Sequence, residues 1–196
     1  MRWLLVLTAA VSLTACTSIH RLSNTQSFDP NTESVVVFGL QPENHRIQVF
    51  AGTIQGDRWH ENLLGVATFF GAAEQGYVLT KAPNDTALAM SLISVVKDEK
   101  QRLGKNYTPC GDSRTAVFEV PRGKVIYLSD FSYQDAGNQL KLEYSPDFER
   151  ARRYVDANFP ALRGRLEQGQ FTLMQTAFPC SPKPGTVYVP VFVPRR

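Results

Sequence analysis

The chain has 196 residues, of which 43% are hydrophobic and 20% are charged, and its formal net charge is +3. This length gives one domain with a substantial core and is not comfortably enough for two. The charge is too close to neutral to predict a nucleic acid as a partner.

The first 15 residues have the pattern of an export signal. Arg2 is the only charged residue before Cys16, and residues 3–13 are almost wholly apolar. This apolar segment is too short to span a bilayer, which takes about 20 helical residues. We therefore expect residues 1–15 to be a signal peptide and not part of the folded domain.

The end of this segment, Leu13-Thr14-Ala15-Cys16, resembles the lipobox of bacterial lipoproteins. The resemblance implies that the thiol of Cys16 is acylated, that the chain is cut before it and that the new N-terminus is also acylated. The acyl chains would anchor the protein to a membrane, since each buried methylene contributes about 0.8 kcal/mol. The alternative is an ordinary signal peptide, cut at an Ala-x-Ala-like site, with Cys16 as a bystander.

The residue after the cysteine indicates in which of two membranes a bacterial lipoprotein is anchored. In lipoproteins of bacteria with two membranes, Asp at this position tends to retain the protein in the inner membrane. Thr17 is found here. The resemblance therefore implies a lipid anchor in the outer membrane, with the domain in the periplasm.

The next residues are polar and lack periodicity. Residues 17–34 contain several turn formers. This composition predicts that residues 16–34 carry the lipid and form a flexible tether with a reach of about 23 Å. A single domain is then expected over residues 35–196.

Two cysteines, Cys110 and Cys180, are left after Cys16 is assigned to lipid. An exported chain with one such pair most simply joins them in a disulfide. In the chain-entropy model, closing a loop of about 70 residues stabilises a fold by about 4 kcal/mol. Two free thiols are the alternative, and metal binding by two cysteines without a nearby histidine is a more remote one.

Short apolar runs rich in β-branched and aromatic residues alternate with turn signals along the rest of the chain. A loop is predicted for the charged segment 97–107. Residues 86–95 fit the second arm of a hairpin, although their alanines leave a helix open. Pro190 lies in the last run and predicts an edge strand. Strands are predicted at 34–40, 46–54, 76–82, 115–120, 124–133, 139–145, 171–176 and 186–193.

One helix is predicted at about 146–158. Ser145 can cap its N-terminus, Pro146 suits its first turn, and Pro160 should end it. Apolar residues recur at helical spacing, which indicates a buried face. They are Phe148, Ala151, Tyr154, Val155 and Phe159.

The order of these elements predicts the fold class. Many short strands, one helix and no βαβ alternation are typical of a mainly β fold, here an antiparallel β-sandwich with one appended α-helix. The segments GYVLTKAP (76–83) and FEVPRGKVIYLSDF (118–131) are followed by a helix that begins with acidic residues. This combination, over roughly residues 76–160, resembles small bacterial lipoproteins with a prealbumin-like or immunoglobulin-like sandwich. That resemblance implies a fold and an envelope location but no activity.

The sequence has no recognisable catalytic or cofactor motif. The patterns G-x-S-x-G, H-E-x-x-H, the P-loop and G-x-G-x-x-G do not occur. His60 has Asp57 and Glu61 near it and is either a base or ligand or, as we favour, a histidine in an exposed turn. The segment 110–113, CGDS, groups a thiol, an acid and a hydroxyl, and a turn is favoured there too. No cofactor or metal is predicted.

Two surface features suggest binding. Tyr127, Phe131 and Tyr133 alternate on one strand and are either a stacking platform or core residues, the latter being favoured. A locally basic helix could meet lipid headgroups or an acidic envelope partner, or could be a solvated face paired with Glu149 and Asp156, the latter being favoured. Its candidate binding residues are Arg150, Arg152 and Arg153, followed by Arg163 and Arg165.

The sequence is compatible with two functions, one a binding protein and the other an enzyme. The first is a non-catalytic envelope module that binds or scaffolds another component, and the second is a hydrolase acting on the cell wall or on exported substrates. The lack of a recognisable nucleophile–base spacing favours the binding module.

Overall fold

A computed structural model describes residues 21–97, 103–137 and 139–180. The predicted lipobox at 13–16 and the predicted last strand at 186–193 lie outside these residues. Within them the protein is mainly β with one α-helix, which confirms the predicted class. The strands are β1 (Glu33–Gln41), β2 (His45–Gln55), β3 (Arg58–Glu61), β4 (Phe69–Ala72), β5 (Tyr77–Pro83), β6 (Ala87–Val96), β7 (Leu103–Tyr107), β8 (Arg114–Glu119), β9 (Val125–Asp135), β10 (Leu140–Ser145), β11 (Leu166–Gln168) and β12 (Thr172–Thr176). Helix α1 (Phe148–Asn158) and a short 3-10 helix (Pro160–Leu162) lie between β10 and β11.

Strands β10, β9, β1 and β5 form an open sheet in that order, and β11 also pairs with β9. The β1–β9 and β9–β11 pairs are parallel. The prediction of a purely antiparallel arrangement is therefore wrong. Strand β1 is central, and its run from Ser34 to Leu40 is buried without interruption. Such a continuous apolar run is typical of a strand that is covered on both faces.

The second sheet closes on itself and corrects the predicted sandwich. Strands β2, β3, β12, β8 and β6 pair in this order, and β6 pairs again with β2, which gives a closed five-stranded barrel. Strands β4 and β7 extend it beside β2 and β6. Closure depends on β2, which pairs with β3 over residues 52–55 and with β6 over residues 45–52.

Trp59 fills the barrel interior. It is 1% exposed and packs against Ala89 and Val117. Gly52 on the neighbouring strand leaves space for the indole ring of Trp59, since a Cβ atom at this position would lie 2.5 Å from a ring carbon. Only glycine leaves room for the large ring at this pairing.

Two hydrophobic cores cover the two faces of the open sheet, which therefore lies between the barrel and the helix. One core is shared by the two sheets and includes Phe38, Met90 and Phe131. The other lies beneath α1, where the helix buries Ala151 and Val155. The helix prediction at 146–158 is confirmed to within two residues, although the residue that caps it is Asp147 rather than Ser145. The carboxylate of Asp147 accepts a hydrogen bond from the backbone N–H of Arg150 at 3.0 Å.

The predicted tether is wrong for residues 21–34. Leu22 and Phe28 are only 2% and 8% exposed and pack in the core beneath α1. Arg21 already forms a β-bridge with Thr80 on β5. The folded domain therefore begins by residue 21, because two apolar side chains in a polar segment are enough to attach it.

Two local predictions can be compared with the structure, and two strands were not predicted. The segment 86–95 is a strand and not a helix, since β6 spans Ala87–Val96. The predicted loop 97–107 contains β7 at its end. Strands β3 and β4 were not predicted, because each has only four residues and β3 is largely polar.

Candidate functional site

Arg150, the first of the arginines predicted to bind a partner, contacts groups inside the domain. Its guanidinium forms an ion pair with Asp130 of β9. Its Nε donates to the hydroxyl of Tyr77 at 3.0 Å, and the guanidinium lies 5.8 Å from the centre of that ring. Arg150 therefore fixes α1 to the open sheet, which is a structural role.

The remaining arginines differ in their contacts. Arg152 pairs with Glu149 one turn away, at 2.5 Å. Arg153 is exposed and, in the part of the chain that the structure describes, has no ion-pair partner. Arg163 donates to the backbone oxygen of Asp156, and Arg165 lies over the ring of Phe28. Binding of a partner by Arg150, Arg152 and Arg153 stays a prediction, and the contacts of Arg150 inside the domain favour a structural role for this residue.

A small polar pocket of about 210 Å³ adjoins the ion pair. The carboxylate of Asp130 is only 14% exposed. Burial raises its pKa, and the hydroxyl of Tyr127 and the guanidinium of Arg150 offset this rise in part. Glu143 and Asp147 also line the pocket. This volume is below the range of about 300–1,000 Å³ that is typical of sites for drug-sized ligands.

Two histidines have different surroundings. His45 is buried at the start of β2, stacks on Tyr133, and shares a hydrogen bond of 2.9 Å with the side chain of Asn44 through Nδ1. Its Nε2 is buried without a hydrogen-bond partner among the described residues. Burial lowers its pKa, and nearby Asp135 opposes this in part. His60, expected in an exposed turn, is half-buried within β3.

The three aromatic residues of β9 are core residues and not a platform. Tyr127, Phe131 and Tyr133 are at most 2% exposed. Tyr127 faces the helix, whereas Phe131 and Tyr133 lie between the sheets. An irregularity in the β1–β9 register, between Val37 and Gly39, changes the face that alternate residues occupy.

Cys110 and Cys180 are joined in a disulfide with their Cα atoms 4.8 Å apart. The bond connects the turn before β8 to the segment after β12. The hydroxyl of Ser113 donates to the carbonyl of Cys110 at 2.6 Å and accepts from its N–H. The CGDS segment is therefore a turn beside a disulfide, as the sequence favoured.

A cleft of about 750 Å³ was not predicted. It lies at the barrel mouth, where Ile54 of β2 and Ala87 of β6 meet β9 and β11 of the open sheet. Val117 and Met174 also line it, and both pack against Trp59 inside the barrel. Sequence patterns could not reveal this cleft, because its walls come from strands that are distant in the chain.

The rim of the cleft is charged. Lys124 pairs with Glu167 at 2.7 Å, and Asp85 pairs with Arg122 at its edge. Glu119 on β8 is exposed and has no ion-pair partner in the described ranges. The cleft therefore combines an apolar floor with one free carboxylate, which suits a ligand that is apolar along its length and basic at one point.

No family model matches the chain, and no curated protein or solved structure matches it significantly. Within the described ranges, no three His, Cys, Asp or Glu side chains are grouped so that they could hold a metal ion. A search of the same ranges found no helix with the length and apolar character needed to cross a membrane.

Proposed function

We propose that the protein is a bacterial lipoprotein, anchored through Cys16 in the outer membrane, whose periplasmic domain binds another envelope component without catalysing a reaction. The observation that carries the anchor is the sequence Leu13-Thr14-Ala15-Cys16 at the end of an apolar export segment. The disulfide supports it: the chain has three cysteines, and Cys110 and Cys180 pair with each other. Cys16 is then the one thiol left for lipid.

The cleft supports the binding role. Its floor is apolar, its volume is in the range of ligand sites, and Glu119 supplies one negative charge at the rim. An extended peptide segment fits this chemistry, with aliphatic side chains over Ile54 and Val117 and a Lys or Arg side chain at Glu119. The cleft replaces the basic helix as the proposed contact surface.

Site-specific cross-linking in intact envelopes tests the binding role. A photoreactive residue at Glu119 should yield one discrete adduct, and the same residue at Arg153, which is exposed on the helix, should not. Reversing the charge with Glu119→Lys should weaken the capture by about tenfold, the size of one desolvated charge pair near 1.4 kcal/mol. Equal labelling from both positions, or no adduct from Glu119, would contradict the proposed surface.

The alternative is a hydrolase acting on cell-wall or exported substrates. It predicts turnover by the purified protein that one side-chain change, such as His60→Ala, abolishes. The binding module predicts no such turnover, and its detection would replace the present proposal.

A further inference from the structure

The loop of residues 62–68, between β3 and β4, exposes three branched aliphatic side chains. Leu63 is 65% exposed, Leu64 99% and Val66 73%. Five large hydrophobic residues are exposed in the part of the chain that the structure describes, and three of them are in this loop. Scattered apolar residues are normal on a surface, whereas a contiguous group indicates a contact surface.

Hydrogen bonds hold this loop in a defined conformation. The side-chain oxygen of Asn62 accepts from the N–H of Leu64 at 3.3 Å, and the backbone carbonyl of Asn62 accepts from the N–H of Gly65 at 3.0 Å. The N–H groups of Asn62 and Thr68 donate to β2 at 2.9 and 2.8 Å. The loop is therefore attached to β2 at both ends, and the leucines project from it instead of folding onto the core.

The loop is close to the point where the chain enters the domain. The side chain of Arg21 donates to the carbonyl of Ala72, pairs with Glu74 and lies 6.0 Å from the centre of the Phe69 ring. Phe69 and Ala72 are the two ends of β4, which follows the loop directly. A strand of this length spans about 10 Å. The entry point and the loop thus share one short strand.

The proposed lipid anchor cannot be far from this strand. Cys16 precedes Arg21 by five residues. Five residues span at most about 18 Å when fully extended, which is shorter than the reach of about 23 Å expected for a long flexible tether. A lipid on Cys16 would therefore hold β4 and the loop next to the bilayer surface.

We propose that the loop of residues 62–68 inserts Leu63, Leu64 and Val66 into the bilayer interface as a second membrane contact. This inference rests on the proposed lipid anchor. The loop contains no Lys or Arg, so insertion depends on apolar burial and does not require anionic lipid. With one contact at the acylated cysteine and another at the loop, the domain has a fixed orientation on the membrane.

Tryptophan fluorescence in vesicles tests the insertion. The acylated protein carrying Leu64→Trp is reconstituted in vesicles of phosphatidylethanolamine and phosphatidylglycerol, with and without brominated acyl chains. The matched control is Gln139→Trp, an exposed position in the turn before β10, which is the edge of the open sheet opposite β5. Trp59 is buried in the barrel and supplies a constant background.

We expect the emission of Leu64→Trp to shift to shorter wavelength and to be largely lost in brominated vesicles, at low and high salt alike, while Gln139→Trp is unchanged. Leu63→Trp serves as a second reporter if the first variant folds poorly. Equal responses at the loop and at Gln139, or no quenching at the loop, would overturn the inference. The mass of the protein reports acylation separately, so failure of the anchor and failure of the insertion are distinguishable.

Discussion

Replacing Arg150 by Met separates a structural role from a binding role. Methionine keeps much of the aliphatic stem but removes the ion pair with Asp130 and the hydrogen bond to Tyr77. The Asp130 carboxylate, which is 14% exposed, then lacks its cation. Removing one partner of a fully buried pair costs about 3–5 kcal/mol, and because Arg150 is itself 48% exposed we reduce this to about 2 kcal/mol.

Thermal unfolding followed by circular dichroism measures this loss. For a domain of this size, about 2 kcal/mol corresponds to a fall in Tm of about 4–8 °C. Arg153→Met, on the same helix but exposed, should change stability by no more than about 0.5 kcal/mol. The double variant Asp130→Asn/Arg150→Met should regain part of the loss, because no unpaired carboxylate is left.

The effect of Arg150→Met should also depend on pH. Burial raises the folded-state pKa of Asp130 above its ordinary value, so ionisation of this group destabilises the fold as the pH rises through that pKa. Below it the carboxyl is neutral and needs no cation. The difference in Tm between wild type and Arg150→Met should therefore be smaller at acid pH. An unchanged Tm together with lost partner capture would refute the structural role of Arg150.

Three further predictions concern other parts of the fold. Burial lowers the pKa of His45 below 6.5, so the stability present above pH 6.5 should be lost as the pH falls through the folded-state pKa. Denaturant unfolding at a series of pH values should show that the unfolding free energy of His45→Phe falls less in acid than that of wild type. Parallel plots of unfolding free energy against pH would contradict this. Gly52→Ala should destabilise the barrel by about 1–3 kcal/mol in the same unfolding assay, because its methyl group would overlap the backbone carbonyl of His60 and the ring of Trp59. Gly76→Ala, where no atom lies within 4 Å of the added Cβ, serves as a strain-only control. Cys110 and Cys180 should resist alkylation until reductant is added, and rapid labelling of the unreduced folded protein would exclude the disulfide. The double variant Cys110→Ala/Cys180→Ala should have an unfolding free energy about 2–4 kcal/mol lower than that of wild type.

The sequence predicts the elements whose signal is local. The helix was found because Ala151 and Val155 recur at helical spacing after a proline, and β10 because its residues alternate cleanly. The disulfide was predicted from the export context and the cysteine count. In each case a few neighbouring residues determine the outcome.

The features that the sequence did not reveal depend on long-range pairing. Barrel closure requires β12 to lie between β3 and β8, and nothing in its five residues specifies those partners. The packing of Leu22 and Phe28 was missed because the surrounding residues are polar. The pairing of Arg150 with Asp130 was not predicted, because Asp130 is 20 residues earlier in the chain. The cleft and the exposed loop were missed for the same reason, since both depend on how distant strands meet.

Mass spectrometry of the N-terminal peptide of the protein isolated from membranes shows whether Cys16 carries the lipid anchor. We expect a chain that begins at Cys16 and carries acyl groups on both its thiol and its amino group, and a Cys16→Ala variant that is neither acylated nor cut at that bond. A mature chain with an unmodified Cys16 thiol, or one that begins at another residue, would contradict it.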